Sequence, residues 1–154
     1  AGESHWYLGR QYRLRLAQAP QPSVRLTRSE IIVAIRGSPT PARVRTALDR
    51  WYRARAREVF AAVTDQCLGQ FPDVSAPPLI IREMRGRWGS FSPAGRMTLN
   101  IRLIRAPRRC IEYVIAHELC HRQHRSHDGA FFRRLARALP DWSSRKQRLD
   151  SLPI

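Results

Sequence analysis

Lysine is almost missing from this chain: of its 28 basic residues only Lys146 is a lysine, and the rest are arginines. Acidic residues are scarce as well, 12 in all, which leaves a formal net charge of +16 on 154 residues. A genome rich in G and C explains the choice of Arg over Lys but not the shortage of Asp and Glu. A surplus this large attracts polyanions and speeds their encounter. Nucleic acid is therefore a candidate partner through the Arg-rich surface, although no compact recognition motif accompanies the charge. Cysteine is limited to Cys67, Cys110 and Cys120, an odd number at spacings unlike a disulfide framework. A reducing cytoplasm is the expected setting. No apolar run approaches the roughly 18 residues of a membrane span, which argues against a transmembrane helix. The sequence opens on Ala1 without Met, which leaves room for an upstream segment, and no secretory pattern follows. Internal repeats and low-complexity segments are absent too. The length suits one domain with a genuine core.

The first third reads as strands. Tyr7–Leu16 alternates Tyr12, Leu14 and Leu16 with basic residues around a turn at Gly9. Val24–Leu26 and the wholly apolar Ile31–Ile35 follow, the latter expected in the interior of a sheet. Trp6, Tyr7 and Tyr12 are more readily packing residues than base-stacking ones. Thr40 and Pro41 then open a helix that runs to about Gly69. Its core face carries Leu48, Trp51, Tyr52, Val59, Phe60 and Val63. Arg43, Arg50, Arg53 and Arg57 recur on another side, either as a solvated face or as a phosphate-tracking ridge. After Pro77-Pro78, Leu79–Met84 is a further strand. Arg87–Phe91 and Met97–Asn100 flank the turn Ser92-Pro93-Ala94-Gly95, a hairpin suited to binding an extended peptide by strand addition.

Ile101–Ile104 and Pro107 lead into Ile111-Glu-Tyr-Val-Ile-Ala-His117-Glu118-Leu-Cys-His121. Its apolar start predicts a buried helix, on which positions four apart share a face. His117 and His121 can then both reach one ion at about 2.0–2.1 Å, the zinc–nitrogen distance. Glu118 points elsewhere around the helix, placed to act as general base on a metal-bound water. Two His and a Glu inside a buried helix are costly unless a metal satisfies them. A catalytic zinc takes a third protein ligand, for which His124 and His127 compete. On a continued helix His124 would lie about 10.5 Å beyond His117, too far to share an ion comfortably. His127 fits if the chain turns back after His121. Metzincins place Gly in that turn. Here His124 stands in its place, and His tolerates positive φ better than most residues. His127 is thus the expected third ligand and His124 a residue behind it or at the rim. No Met follows Met97, so a metzincin Met-turn is absent. Asp128 can cap a last segment, Gly129–Leu139, or orient His127. Phe131, Phe132, Leu135 and Leu139 form that segment's apolar face, and Trp142–Leu149 reads as a short amphipathic tail.

Taken together, Arg87-Trp-Gly-Ser, Leu99-Asn100, Pro107, the His-Glu-Leu-Cys-His helix, and His127 with Phe131 resemble the YgjP-like metallopeptidase family. That family is similar to the WLM and SprT-type zincins. The motifs span roughly residues 79–135. The resemblance implies a compact α+β zincin-like domain with a small mixed β-sheet packed on the active-site helix. It implies zinc at His117, His121 and His127, Glu118 as catalytic base, and peptide or protein substrates. Similarity to the WLM and SprT-type proteases suggests that these substrates are DNA-associated. The alternative is a basic nucleic-acid-binding protein whose zinc site is structural or inactive. Phe91 stands where the family commonly has Cys. The expected division is one domain over 1–154, with a strand region at 1–37 and a catalytic core at 38–154. The proton Glu118 takes from water would pass to the leaving amine. Arg87, Asn100 and Tyr113 are the candidates for stabilising the oxyanion.

Overall fold

The computed structural model describes residues 2–154. The N-terminal region is a hairpin followed by a crossover. Strand β1 (Ser4–Tyr7) pairs antiparallel with β2 (Arg10–Gln18) through a two-residue turn at Leu8-Gly9. Both turn residues have positive φ, 46° and 84°, the signature of the primed turns that match strand twist. β1 starts earlier than the alternation suggests. Tyr7 faces the core while the partly exposed Trp6 lies on the opposite face, so an apolar residue on the outer side hides the period.

β3 (Ser23–Leu26) and β4 (Glu30–Ile35) complete a four-stranded sheet of order β1-β2-β4-β3. β4 lies between β2, parallel to it, and β3, antiparallel, which accounts for its apolar run. Ile31, Val33 and Ile35 join the core, each burial worth about 1.5–3 kcal/mol. Against this face lies α1 (Pro41–Leu68), capped by the Thr40 hydroxyl accepting from Arg43 N at 3.3 Å. Leu48, Tyr52, Val59, Phe60 and Val63 are buried as expected, Trp51 only partly, and Val44, Ala56 and Cys67 join them. The Tyr52 hydroxyl donates to Trp6 O at 2.7 Å and ties helix to hairpin.

A second sheet has order β5-β7-β6: β5 (Leu79–Arg82), β6 (Gly89–Phe91) and β7 (Met97–Asn100). β5 runs parallel to β7 and β6 antiparallel, so the sheet is mixed, with β6 on an edge. β5 ends two residues short of Met84, where the chain leaves for the loop before β6. A 3-10 helix (Ile101–Arg105) leads into α2 (Arg108–Cys120), which packs on α1, β6, α3 (Gly129–Ala138) and α4 (Trp142–Asp150). α2 is therefore surrounded: Ile111, Ile115 and Leu119 are fully buried. α4 is clamped to α2 by Arg145, which donates to Glu112 at 2.6 Å, and by Arg109 of α2, which donates to the α4 cap Asp141 at 2.7 Å. Among the described residues no helix is long and apolar enough to cross a membrane.

Candidate metal centre

The last turn of α2 carries His117, and His121 caps the helix immediately after it. The chain then folds back without any left-handed residue. His121 N, Arg122 N and His124 N donate to Glu118 O, Leu119 O and Cys120 O, a tightened continuation of helical bonding. Leu8 is the one non-glycine residue with positive φ among those described, so His124 does not use the tolerance expected of it. This turn returns His127 to the helix. Ligand-competent atoms of His117, His121 and His127 all lie within 4.8 Å of one another. The Nε2 atoms of His121 and His127 are 3.0 Å apart.

His124 contributes its backbone rather than its ring. Its carbonyl oxygen lies 3.0 Å from His121 Nδ1. With Nδ1 carrying the proton, His121 directs the Nε2 lone pair toward His127, as a metal ligand must. Nitrogen ligands of a tetrahedral zinc at about 2.05 Å are separated by about 3.3 Å, close to the His121–His127 spacing. The three imidazoles thus fit a small cation. Burial, followed by the neighbouring His117 and His121, lowers the pKa of His127, which favours the neutral ring.

Phe131 forms the floor of the site. Fully buried on α3, its ring centroid lies 4.9, 4.8 and 4.9 Å from those of His117, His121 and His127. Sequence reasoning placed Phe131 on an apolar helix face without seeing that this face supports all three imidazoles. Asp128 settles as the cap: its Oδ1 accepts from Phe131 N at 3.0 Å, fixing the start of α3 and with it the floor. Tyr113, one turn before His117, meets that ring at 5.9 Å edge-on and stacks on Trp142 of α4.

Glu118 is buried, and its Oε2 lies 3.1 Å from His117 Nδ1. Opposite it runs β6. A Cβ built on Gly89 would come within 3.1 Å of Glu118 Cγ, 3.2 Å of Leu99 Cδ2 and 3.2 Å of Thr98 O. Only glycine lets the strand approach the carboxylate this closely. The reason for Gly in Arg-Trp-Gly-Ser was not visible from the sequence, because the contact joins residues far apart in it.

A cleft of about 580 Å³ opens over this arrangement, walled by Arg87–Pro93 on one side and by Tyr113, Glu118 and the three histidines on the other. Of the oxyanion candidates, Arg87 and Tyr113 line it. Burial pushes the Tyr113 hydroxyl up to about 12, with Asp150 and Glu118 adding to the shift, so it stays a donor. Asn100 does not serve. Its Nδ2 donates to Met84 O and Arg87 O, both at 3.0 Å, and its Oδ1 accepts from Arg102 N. With both amide protons engaged, this residue brackets the loop before β6. The three cysteines are buried free thiols. Burial raises the pKa of each, to about 12 for Cys67 and about 11 for Cys120, which makes them packing groups rather than nucleophiles.

Comparison with known proteins gives the family and the fold. A family model described as "YgjP-like, metallopeptidase domain" matches residues 1–152. Two solved structures share the fold. The metallopeptidase zymogen of Methanocaldococcus jannaschii jannalysin is 19% identical with TM-score 0.54, covering 62% of this chain and 90% of that one. The metallopeptidase zymogen of Pyrococcus abyssi abylysin is 17% identical with TM-score 0.54, covering 58% and 90%. No protein of curated function matches the chain.

Proposed function

Since this chain belongs to the YgjP-like metallopeptidase family and is thus a metal-dependent hydrolase, we propose that His117, His121 and His127 hold zinc and that Glu118 is the general base in peptide-bond hydrolysis. The observation that carries this is the convergence of three imidazoles beside one buried carboxylate. A zinc ion there supplies a Lewis acid for the scissile carbonyl and lowers the pKa of a neighbouring water. Glu118 accepts the proton of the attacking water and returns it to the leaving amine. Tyr113, protonated throughout the physiological range and edge-on to the His117 ring, is the donor taken for the developing oxyanion, while Arg87 stands two residues before β6. The unpaired edge of β6 runs beside the histidines and takes the substrate as an added strand. The proposal treats 1–154 as one catalytic unit, with 1–37 its strand region and 38–154 its core; α1 supports both, touching β3 and β4 as well as α2.

The test is metal content followed by turnover. About one zinc per chain is expected, retained in Glu118→Gln but reduced in His127→Ala. Glu118→Gln should lose about 10²–10⁴-fold in kcat on a cleavable peptide. Unchanged turnover in that variant would refute the assignment of the base.

One observation supports an additional partner. Register places Arg15 and Arg25 on either side of Ile32, on the sheet face turned away from α1. Arg13 and Trp6 share that face, with Trp6 across from Gln11. Arginines beside a half-exposed indole suit phosphates and a stacked base of single-stranded nucleic acid. Expected is oligonucleotide binding that weakens steeply with salt and is reduced by Trp6→Ala with Arg13→Glu; binding indifferent to both changes would dismiss this face.

A further inference from the structure

The cleft that holds the histidines also carries a charge pattern that the hydrolysis mechanism leaves unused. Arg87, Arg122 and Arg125 line it, all three exposed, and Glu118 is the one acidic residue on its walls. None of the three arginines takes part in an ion pair among the described residues, a condition they share with most arginines of the chain, so what sets them apart is their place on the cleft wall. They are also spread along the path of a bound strand. Arg87 stands two residues before Gly89, where β6 begins. Arg122 reaches the far end, where its Nη1 would lie 3.5 Å from a Cβ on Gly95 in the β6–β7 turn. Arg125 sits in the turn between His121 and His127. From the approach to β6 to the turn is about five residues of extended chain, or roughly 17 Å. A peptide laid on the β6 edge therefore has a guanidinium near each end, with Gly89 and the facing Glu118 between them.

We propose that this cleft selects acidic peptide segments, with Asp or Glu on both sides of the scissile bond, through Arg87, Arg122 and Arg125. The proposal rests on the assignment of the histidine site as the hydrolytic centre and adds the substrate class. Guanidinium groups bind carboxylates through paired N–H donors. In a concave site lined by one sign of charge the local concentration of oppositely charged ligands rises. These arginines touch substrate away from the reacting atoms, so their effect falls mainly on KM and on salt dependence.

The experiment compares three peptides that share one cleavable core and carry Glu, Gln or Lys at two positions on each side. Exposed ion pairs change affinity by about two- to fivefold each. The Glu peptide should accordingly show kcat/KM at least about tenfold above the Lys peptide, with the Gln peptide between and the difference in KM. Raising the salt from 0.05 to 0.5 M should shrink the spread, since the Debye length falls well below the cleft dimensions. Arg122→Glu with Arg125→Glu should invert the order, Lys above Glu. Equal cleavage of the three peptides by the native chain overturns the inference alone, as does an order unaltered in the double variant. If no peptide is cleaved by a chain loaded with zinc, the hydrolytic assignment itself fails, and the inference fails with it.

Discussion

Gly89 offers the sharpest test of how the carboxylate proposed as the base is placed. A Cβ at this position meets three atoms: Leu99 Cδ2 and Thr98 O at 3.2 Å, and Glu118 Cγ at 3.1 Å. Thr98 O belongs to the neighbouring strand and Leu99 is fully buried, so neither yields readily. Glu118 is the softest of the three. Restoring an ordinary carbon–carbon separation of about 3.6 Å moves its Cγ by roughly half an ångström, and the carboxylate at the end of the side chain by about twice that. A displacement of about 1 Å in a catalytic group lowers rate by about 10²-fold. Overpacking at such a site costs about 1–2 kcal/mol, which lowers Tm by roughly 2–8 °C in a chain of this size. Gly89→Ala should therefore remain folded at 25 °C and lose one to two orders of magnitude in kcat. It should keep its zinc, because Glu118 is not among the three converging ligands. The assay is turnover of a quenched fluorescent peptide, with thermal denaturation and zinc stoichiometry measured on the same preparation. A kcat within twofold of the native chain would refute the argument. Loss of zinc would show that the strain passes into the histidines instead.

Two further expectations concern the frame around the cleft. Asn100→Ala removes three hydrogen bonds at a residue only 4% exposed and leaves Met84 O and Arg87 O without their donor. A loss of about 2–4 kcal/mol is expected, read from urea denaturation; a loss below 0.5 kcal/mol would mean the loop before β6 is held by other contacts. Asp141 links α4 to α2. Burial raises its pKa, but hydrogen bonds from Arg145 and Arg109 outweigh that and hold it below its usual value of 3.8. Its folded pKa is depressed, so its stabilising contribution is present above the unfolded value and is lost as pH falls through the folded one. Acid titration of stability should show the native chain weakening below about pH 4 and Asp141→Asn weakening less over that interval. Parallel curves would dismiss the role of this carboxylate.

Much of the site was written in local signals. The four-residue spacing of His117 and His121 acts within one helical turn, as do the Thr40 and Asp128 caps, and such signals need only neighbours in sequence to take effect. The alternation in β2 and the unbroken apolar run of β4 were legible for the same reason, since burial on one face or two leaves its mark on each strand separately. The candidacy of His127 also followed from the sequence, by excluding an awkward reach along the helix. The fold-back after His121 was left open there. Helix-type hydrogen bonds, rather than a left-handed His124, accomplish it, and the carbonyl of that residue then orients His121.

Tertiary structure alone decided what surrounds these residues. Whether Asn100 faced the cleft or the loop depended on where Met84 O and Arg87 O came to rest, and they lie on a different strand connection. That Phe131 supports three imidazoles depended on α3 packing across the end of α2. The need for glycine at position 89 arises from the approach of β6 to Glu118, 29 positions away in sequence numbering. The free arginines at the two ends of β6 come from separate segments as well. Spacing along a chain specifies which side chains share a face, because backbone geometry repeats every few residues. It carries no comparable period for contacts between elements, which the packing of the whole core must resolve.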